Sequence, residues 1–133
     1  MATKSGVADK PILVNFISDA DYRKSTDSDV YLIQTQGAAD GSVVEANAGE
    51  LCIGIRQDSP YTGDAMSVAI GGISLLKIGS GGITRGAKIK SDNDGQGVAS
   101  TADRENIVGI ALASGSEGDL VPVLVRPGPT SNA

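Results

Sequence analysis

The sequence predicts a small, Gly-rich, all-β domain, and three observations carry that prediction. Glycine supplies 18 of 133 residues, close to twice the usual share of about 7%, and glycine in such numbers favours turns and bulges over helix interiors. Short apolar segments alternate with a period of two, which places their side chains on one face of a strand. A strand–turn–strand segment also occurs twice at a constant spacing, 109 − 54 = 55.

A chain of this length can bury roughly two-thirds of the surface its unfolded form exposes, so a core is possible. Its makings are unusual. Phe16, Tyr22, Tyr31 and Tyr61 are the four aromatics and Trp is absent, so Val, Ile, Leu and Ala must supply the burial that aromatics usually dominate.

Taken in order, residues 1–29 read as an extended N-terminal arm, polar and charge-mixed apart from the apolar block 11–17. Ser18, Asp19 and Asp21 suit the cap of a helical turn, because their short side chains accept bonds from free backbone N–H groups. The β domain is expected over 30–128, opening with a strand at 30–35 and a Gly-bounded break at 37–41. The repeat spans 51–72 and 106–127. Leu51-Cys52-Ile53-Gly54-Ile55 precedes Gly63-Asp64-Ala65-Met66-Ser67-Val68-Ala69-Ile70, while Ile107-Val108-Gly109-Ile110 precedes Gly118-Asp119-Leu120-Val121-Pro122-Val123-Leu124-Val125. Alternation assigns Met66, Val68 and Ile70, and Val121, Val123 and Val125, to the core. Two copies do not make a solenoid; they suit a small closed or sandwiched β structure.

Between the copies lie strands at 73–78 and 83–90, a glycine turn at 79–82, a turn at 92–95 and a short strand at 98–101. Asp94-Gly95 is a hairpin signal, because both residues tolerate the positive φ of tight turns. Pro122 cannot donate to a ladder, which predicts an edge or a bulge there. Residues 129–133 read as a flexible tail, with Pro127 already marking its approach.

The same sequence excludes much chemistry. A formal charge of −5 and a pI near 4.5 lack the basic footprint that nucleic-acid binding needs. No apolar run is long enough to span a membrane, and 1–10 lack the features of a signal peptide, so synthesis in the cytoplasm is expected. Histidine is absent and Cys52 is the single cysteine, which removes the usual Ser-His-Asp, Cys-His and His-metal sites and any intrachain disulfide. Cys52 reads as a small buried apolar residue.

Gly81 and Gly86 have phosphate-loop spacing, yet Ala87 and Lys88 stand where Lys and Ser/Thr are required. The calcium-like Asp92-Asn93-Asp94-Gly95 would need ligands from Lys90 to Thr101, which cannot supply the charges. Asp64 and Asp119 follow glycine at matching repeat positions, and a turn role explains both. The acidic stretch 19–29 reads as a solvated face. No cofactor, metal or enzymatic activity is expected.

One oddity remains on the outer face of the second copy. There Leu120 and Leu124 flank Pro122, in place of Ala65, Ser67 and Ala69 of the first. A subunit interface would explain two leucines on a solvent-facing strand.

With its linker Ile83-Thr84-Arg85-Gly86-Ala87-Lys88-Ile89-Lys90-Ser91-Asp92, the repeat over about 51–128 resembles the capsid-decoration (cement) proteins of tailed bacteriophages, similar in role to the lambda head decoration protein. The resemblance implies a β-barrel or β-tulip-like fold. It also implies a homotrimer on the outer surface of the assembled head, clamping neighbouring major capsid subunits in a virion built in the host cytoplasm. The first 30 residues match no pattern of that family. The candidate interface residues are Ile12, Leu13, Val14, Phe16 and Ile17 of the arm, docking as a strand on a neighbour or on the shell, together with Leu120, Pro122 and Leu124. The alternative is a tail-fibre or host-attachment module, against which the scarcity of aromatics for stacking on carbohydrate counts.

Overall fold

A run of alternating small and branched residues makes the longest strand, β5 (Ala65–Lys77), which joins two segments that read separately in the sequence. It is continuous because Gly72, at φ +71, lets the strand bend instead of ending. In the computed structural model, which describes residues 10–22 and 30–129, nine strands form one sheet. The others are β1 (Lys10–Ser18), β2 (Ile33–Gln36), β3 (Ser42–Glu45), β4 (Gly54–Arg56), β6 (Lys88–Ser91), β7 (Gly97–Ala99), β8 (Asn106–Ala111) and β9 (Leu120–Pro129). No helix occurs among the described residues.

The sheet order is β1-β3-β2-β4-β5-β9-β8-β6-β7, and β1 pairs additionally with β5. Pairings from β1 through β3, β2, β4 and β5 therefore return to β1. The β1–β3 contact is parallel and short, Ile17 to Ser42 and Ser18 to Val43. The other strand pairings are antiparallel.

Two apolar clusters result. The larger gathers Ile33, Cys52, Ile55, Leu76, Ile89 and Val123 among its members. In the smaller, Val43, Met66 and Val68 are packed by Phe16, Tyr22 and Ile53. Aliphatic side chains make up most of the buried core, and three of the four aromatics, Phe16, Tyr22 and Tyr31, pack at its margins.

Several expectations need correction. The sheet begins at Lys10, not at Val30, because β1 pairs with β5 from Lys10↔Ile73 to Ile17↔Ala65; the expected arm is in this part a strand of its own chain's sheet. The remainder of 1–29 falls on residues 1–9 and 23–29, outside the described residues, apart from 19–22. Ser18 caps no helix: its hydroxyl donates to Ala20 O at 2.6 Å in a bend. Ile70 leaves the core face because the β1–β5 register shifts between Ile12 and Leu13, which turns Ile70 outward at 36% exposure.

Pro122 lies in an interior strand, between β5 and β8. Its lost donor is tolerated because β8 ends there, and Leu112 N–H donates to Pro122 O at 2.9 Å with no return bond required. β9 continues to Pro129, past the point where Pro127 suggested a tail, and residues 130–133 lie outside the described residues. β3 was not anticipated at all.

Candidate interaction surfaces

β1 is a strand with one largely open edge. One edge is paired with β5 along its length, whereas the other meets β3 only at Ile17 and Ser18. Ahead of that contact the outer edge carries backbone groups that the sheet does not pair, the arrangement that invites another strand. Pro11 blunts it at one position. Ile12 and Leu13 are 60% and 50% exposed, and Val14, Ile17 and Ile70 are also exposed. These side chains flank the open edge from both faces of the strand: Leu13, opposite Ala69, and Ile17, opposite Ala65, lie on one, while Ile12, opposite Gly71, and Val14, opposite Val68, lie on the other. Phe16 differs from its neighbours: it faces Met66 across the ladder and packs into the smaller cluster.

The structure separates the remaining candidates from this strip. Leu120 and Pro122 are buried within the chain, so the outward face expected of them is not outward. Over 120–123 β9 is covered on both faces, and Leu120 sits opposite Lys77 of β5. Leu124 is half-buried and lies between Ile73 and Ile110. Of the eight candidates, four are exposed along β1: Leu13 and Ile17 on one face, Ile12 and Val14 on the other.

Polar groups elsewhere serve the fold. Asp92 Oδ1 accepts the N–H groups of Asp94 (2.8 Å) and Gln96 (2.9 Å), so this carboxylate closes the β6–β7 turn with Gly95 at φ +73. Asp119 Oδ2 likewise accepts Ser116 N–H at 2.9 Å. Cys52 is buried and its thiol is pushed up to about 12 by desolvation, which leaves it unreactive. Glu105 is held down to about 2, first by its bond with Lys90 and then by Ala102 N–H and the Ser100 hydroxyl. Burial raises Tyr22, whose hydroxyl accepts Glu45 N–H.

Arg56, which the sequence reading passed over, is fully buried. Its guanidinium lies 4.0 Å from the Tyr22 ring centroid, and Nη1 donates to Asp58 O at 3.1 Å. The signal available was a charged residue two positions from the inward-facing Gly54 of the same short strand.

The fold and these surfaces define an all-β protein whose distinctive feature is an exposed apolar strip on an incompletely paired strand. The chain belongs to the phage cement protein family, whose description matches residues 24–127. Among solved structures it is similar to the N base of the head fiber protein gp8.5 of bacteriophage phi29, with a TM-score of 0.61 and 18% identity over 88% of this chain and 95% of that one. At that identity the likeness shows the fold. No curated protein matches.

Proposed function

We propose that this chain is a decoration protein that binds the outer surface of an assembled phage head as a homotrimer and stabilises it by clamping neighbouring major capsid subunits. Membership of the cement family carries the reading, and the head fiber base with the same fold belongs to another head-associated protein. The strip on β1 supports it physically, because an apolar group on an open strand edge is a surface for docking. The circuit of pairings from β1 to β5 is consistent with a barrel or tulip-like body. Assembly in the host cytoplasm, residence on the virion exterior and a role without catalysis complete the reading. Tail-fibre or host attachment is less well served, since only Tyr61 of the four aromatics is largely exposed.

The physical basis is linkage. A ligand that binds only the expanded lattice stabilises it by about 2.7 kcal/mol per site when present at a hundred times its dissociation constant. The test compares the rupture temperature of expanded heads with and without saturating protein, using unexpanded heads as control. A rise confined to expanded heads is expected. Equal rupture temperatures at full occupancy would refute the clamp.

A further inference from the structure

The pairing registers of the chain occur twice. β4 and β5 join Ile55 to Ala69, while β8 and β9 join Ile110 to Leu124, with 110 − 55 = 124 − 69 = 55. β2 and β4 join Ile33 to Ile55, while β6 and β8 join Lys88 to Ile110, again with 88 − 33 = 55. Phe16 of β1 faces Met66 as Leu76 of β5 faces Val121, with 76 − 16 = 60 and 121 − 66 = 55. The parallel contact of Ser18 with Val43 has its counterpart in Ile78 with Gly97. Two five-stranded units of one design therefore share β5, whose first half closes unit one and whose second half opens unit two.

The units touch through different faces. Unit one's Ile33 N–H donates to Gly95 O at 2.8 Å, its Tyr31 O accepts Lys77 N–H at 2.9 Å, and its Gly49 O accepts from Asn106 Nδ2 at 3.1 Å. A two-fold arrangement would require the reciprocals of these contacts and of the bond from Ala48 N–H to Asn93 Oδ1 (3.2 Å), with Gly41 and Ala38, the counterparts of Gly95 and Asn93, meeting unit two. Instead Gly41 O accepts Ile17 N–H at 2.9 Å and Ala38 N–H donates to Asp19 Oδ2 at 3.0 Å, both inside unit one. The joint is heterologous, so each unit keeps one face that its twin uses and it does not.

On unit one that face is the β1 strip. Leu13, Val14 and Ile17 are the counterparts of Ile73, Ser74 and Lys77, each 60 residues on. Those three lie against unit one: Ile73 pairs with Lys10, Ser74 Oγ accepts Gln57 Nε2 at 2.7 Å, and Lys77 meets Tyr31. Ser74 is fully buried, whereas Val14 is 39% exposed. On unit two the free face is a concavity lined by Lys88, Ile107, Ile110 and residues 126–129. Its counterparts 55 residues back, Ile33, Cys52 and Ile55, are buried in the core that the two units share.

We propose that copies of this chain associate head to tail, with the β1 strip of one seated against the Ile107–Ile110 concavity of the next. The contact between copies would reuse the faces that join the two units within one. Residues 11–14 and 126–129 are both counterparts of 71–74, the one segment that serves both units within the chain, so between copies these two segments cannot coincide and lie side by side, with the joint displaced by one strand spacing of ~4.8 Å. A heterologous joint of this kind closes into a ring when its rotation permits. The inference rests on the self-association in the proposed function and adds the surfaces that make it.

Sedimentation of the full chain tests it with Leu13→Arg and Ile110→Arg, and with Arg126→Asp at the concavity rim should Ile110→Arg fail to fold. Each folded variant alone should lose higher oligomers, with self-association weakened at least about tenfold. An equimolar mixture of the two should form one-to-one dimers and nothing larger, because one good strip meets one good concavity. A mixture that stays monomeric overturns the head-to-tail contact, as does wild-type association in either variant alone. Wild-type protein that is monomeric even at concentrations saturating heads would overturn the homotrimer as well.

Discussion

Replacing Gly109 with alanine tests the packing of the interior strands. A Cβ at Gly109 would stand 2.1 Å from Leu124 O, more than 1 Å inside ordinary contact, and 3.0 Å from Leu124 C. Both atoms are backbone of the neighbouring strand, so no side-chain rotation relieves the clash. β8 must move from β9, weakening the pairs Gly109↔Val125, Ile110↔Leu124 and Ala111↔Val123. Overpacking strain of about 1–3 kcal/mol and two ladder bonds at about 1 kcal/mol each give a loss of about 3–5 kcal/mol. For a domain of this size that is a fall of about 10–20 °C in Tm, read by thermal denaturation in circular dichroism. Gly118→Ala is the control: φ there is +86 but nothing lies within 4 Å of the added Cβ, so the cost is backbone strain alone, about 1–2 kcal/mol. Equal losses at the two positions would refute the close-approach argument.

Two further outcomes follow from the loop at 100–105. Glu105 has its folded pKa depressed from 4.5 to about 2, so its contribution is present above about pH 4.5 and is lost as pH falls toward 2; Glu105→Gln should flatten that limb in urea denaturation across a pH series, and an unchanged slope would contradict it. Arg104 is the non-glycine residue at positive φ among those described, at +64, and Arg104→Gly should raise Tm by about 2–4 °C as relief of left-handed strain outweighs the added chain entropy.

The hairpins were legible because alternation and glycine placement are local signals. Met66, Val68, Val121, Val123 and Val125 are buried as the period of two requires. Ile70 was misassigned because a bulge moves everything beyond it to the other face, and the shift is dictated by β1, more than 50 residues away in sequence. The same distance hid the place of β1: an apolar block flanked by polar residues shows no local partner, so it reads as an arm. Leu120 and Pro122 read as outward when the strand is taken alone, whereas β5 and β8 flank it and both of its faces are covered over 120–123. The duplication beyond the hairpins stayed invisible because the pairing geometry is kept while the side chains are not, as Ile17 against Lys77 and Arg56 against Ala111 illustrate.

The strip on β1 also bears on how a protein with the proposed decoration role would bind assemblies in preference to single subunits. Full burial of a large aliphatic side chain contributes about 1.5–3 kcal/mol. Ile12, Leu13, Val14 and Ile17 already lose part of their surface within the chain, so docking adds about 1 kcal/mol from each by the same area argument. That sum stands at or below the roughly 4–15 kcal/mol cost of immobilising a free partner. One such contact therefore holds weakly. A ring in which every copy makes two contacts, or a lattice that offers several sites to one oligomer, meets the immobilisation cost once and adds each later contact at high effective concentration. Net charge of −5 sharpens the difference, because it opposes casual association of free copies. Weak, repeated apolar contacts on a repelling background make occupancy depend on the number of sites presented together, and only an assembled shell presents many.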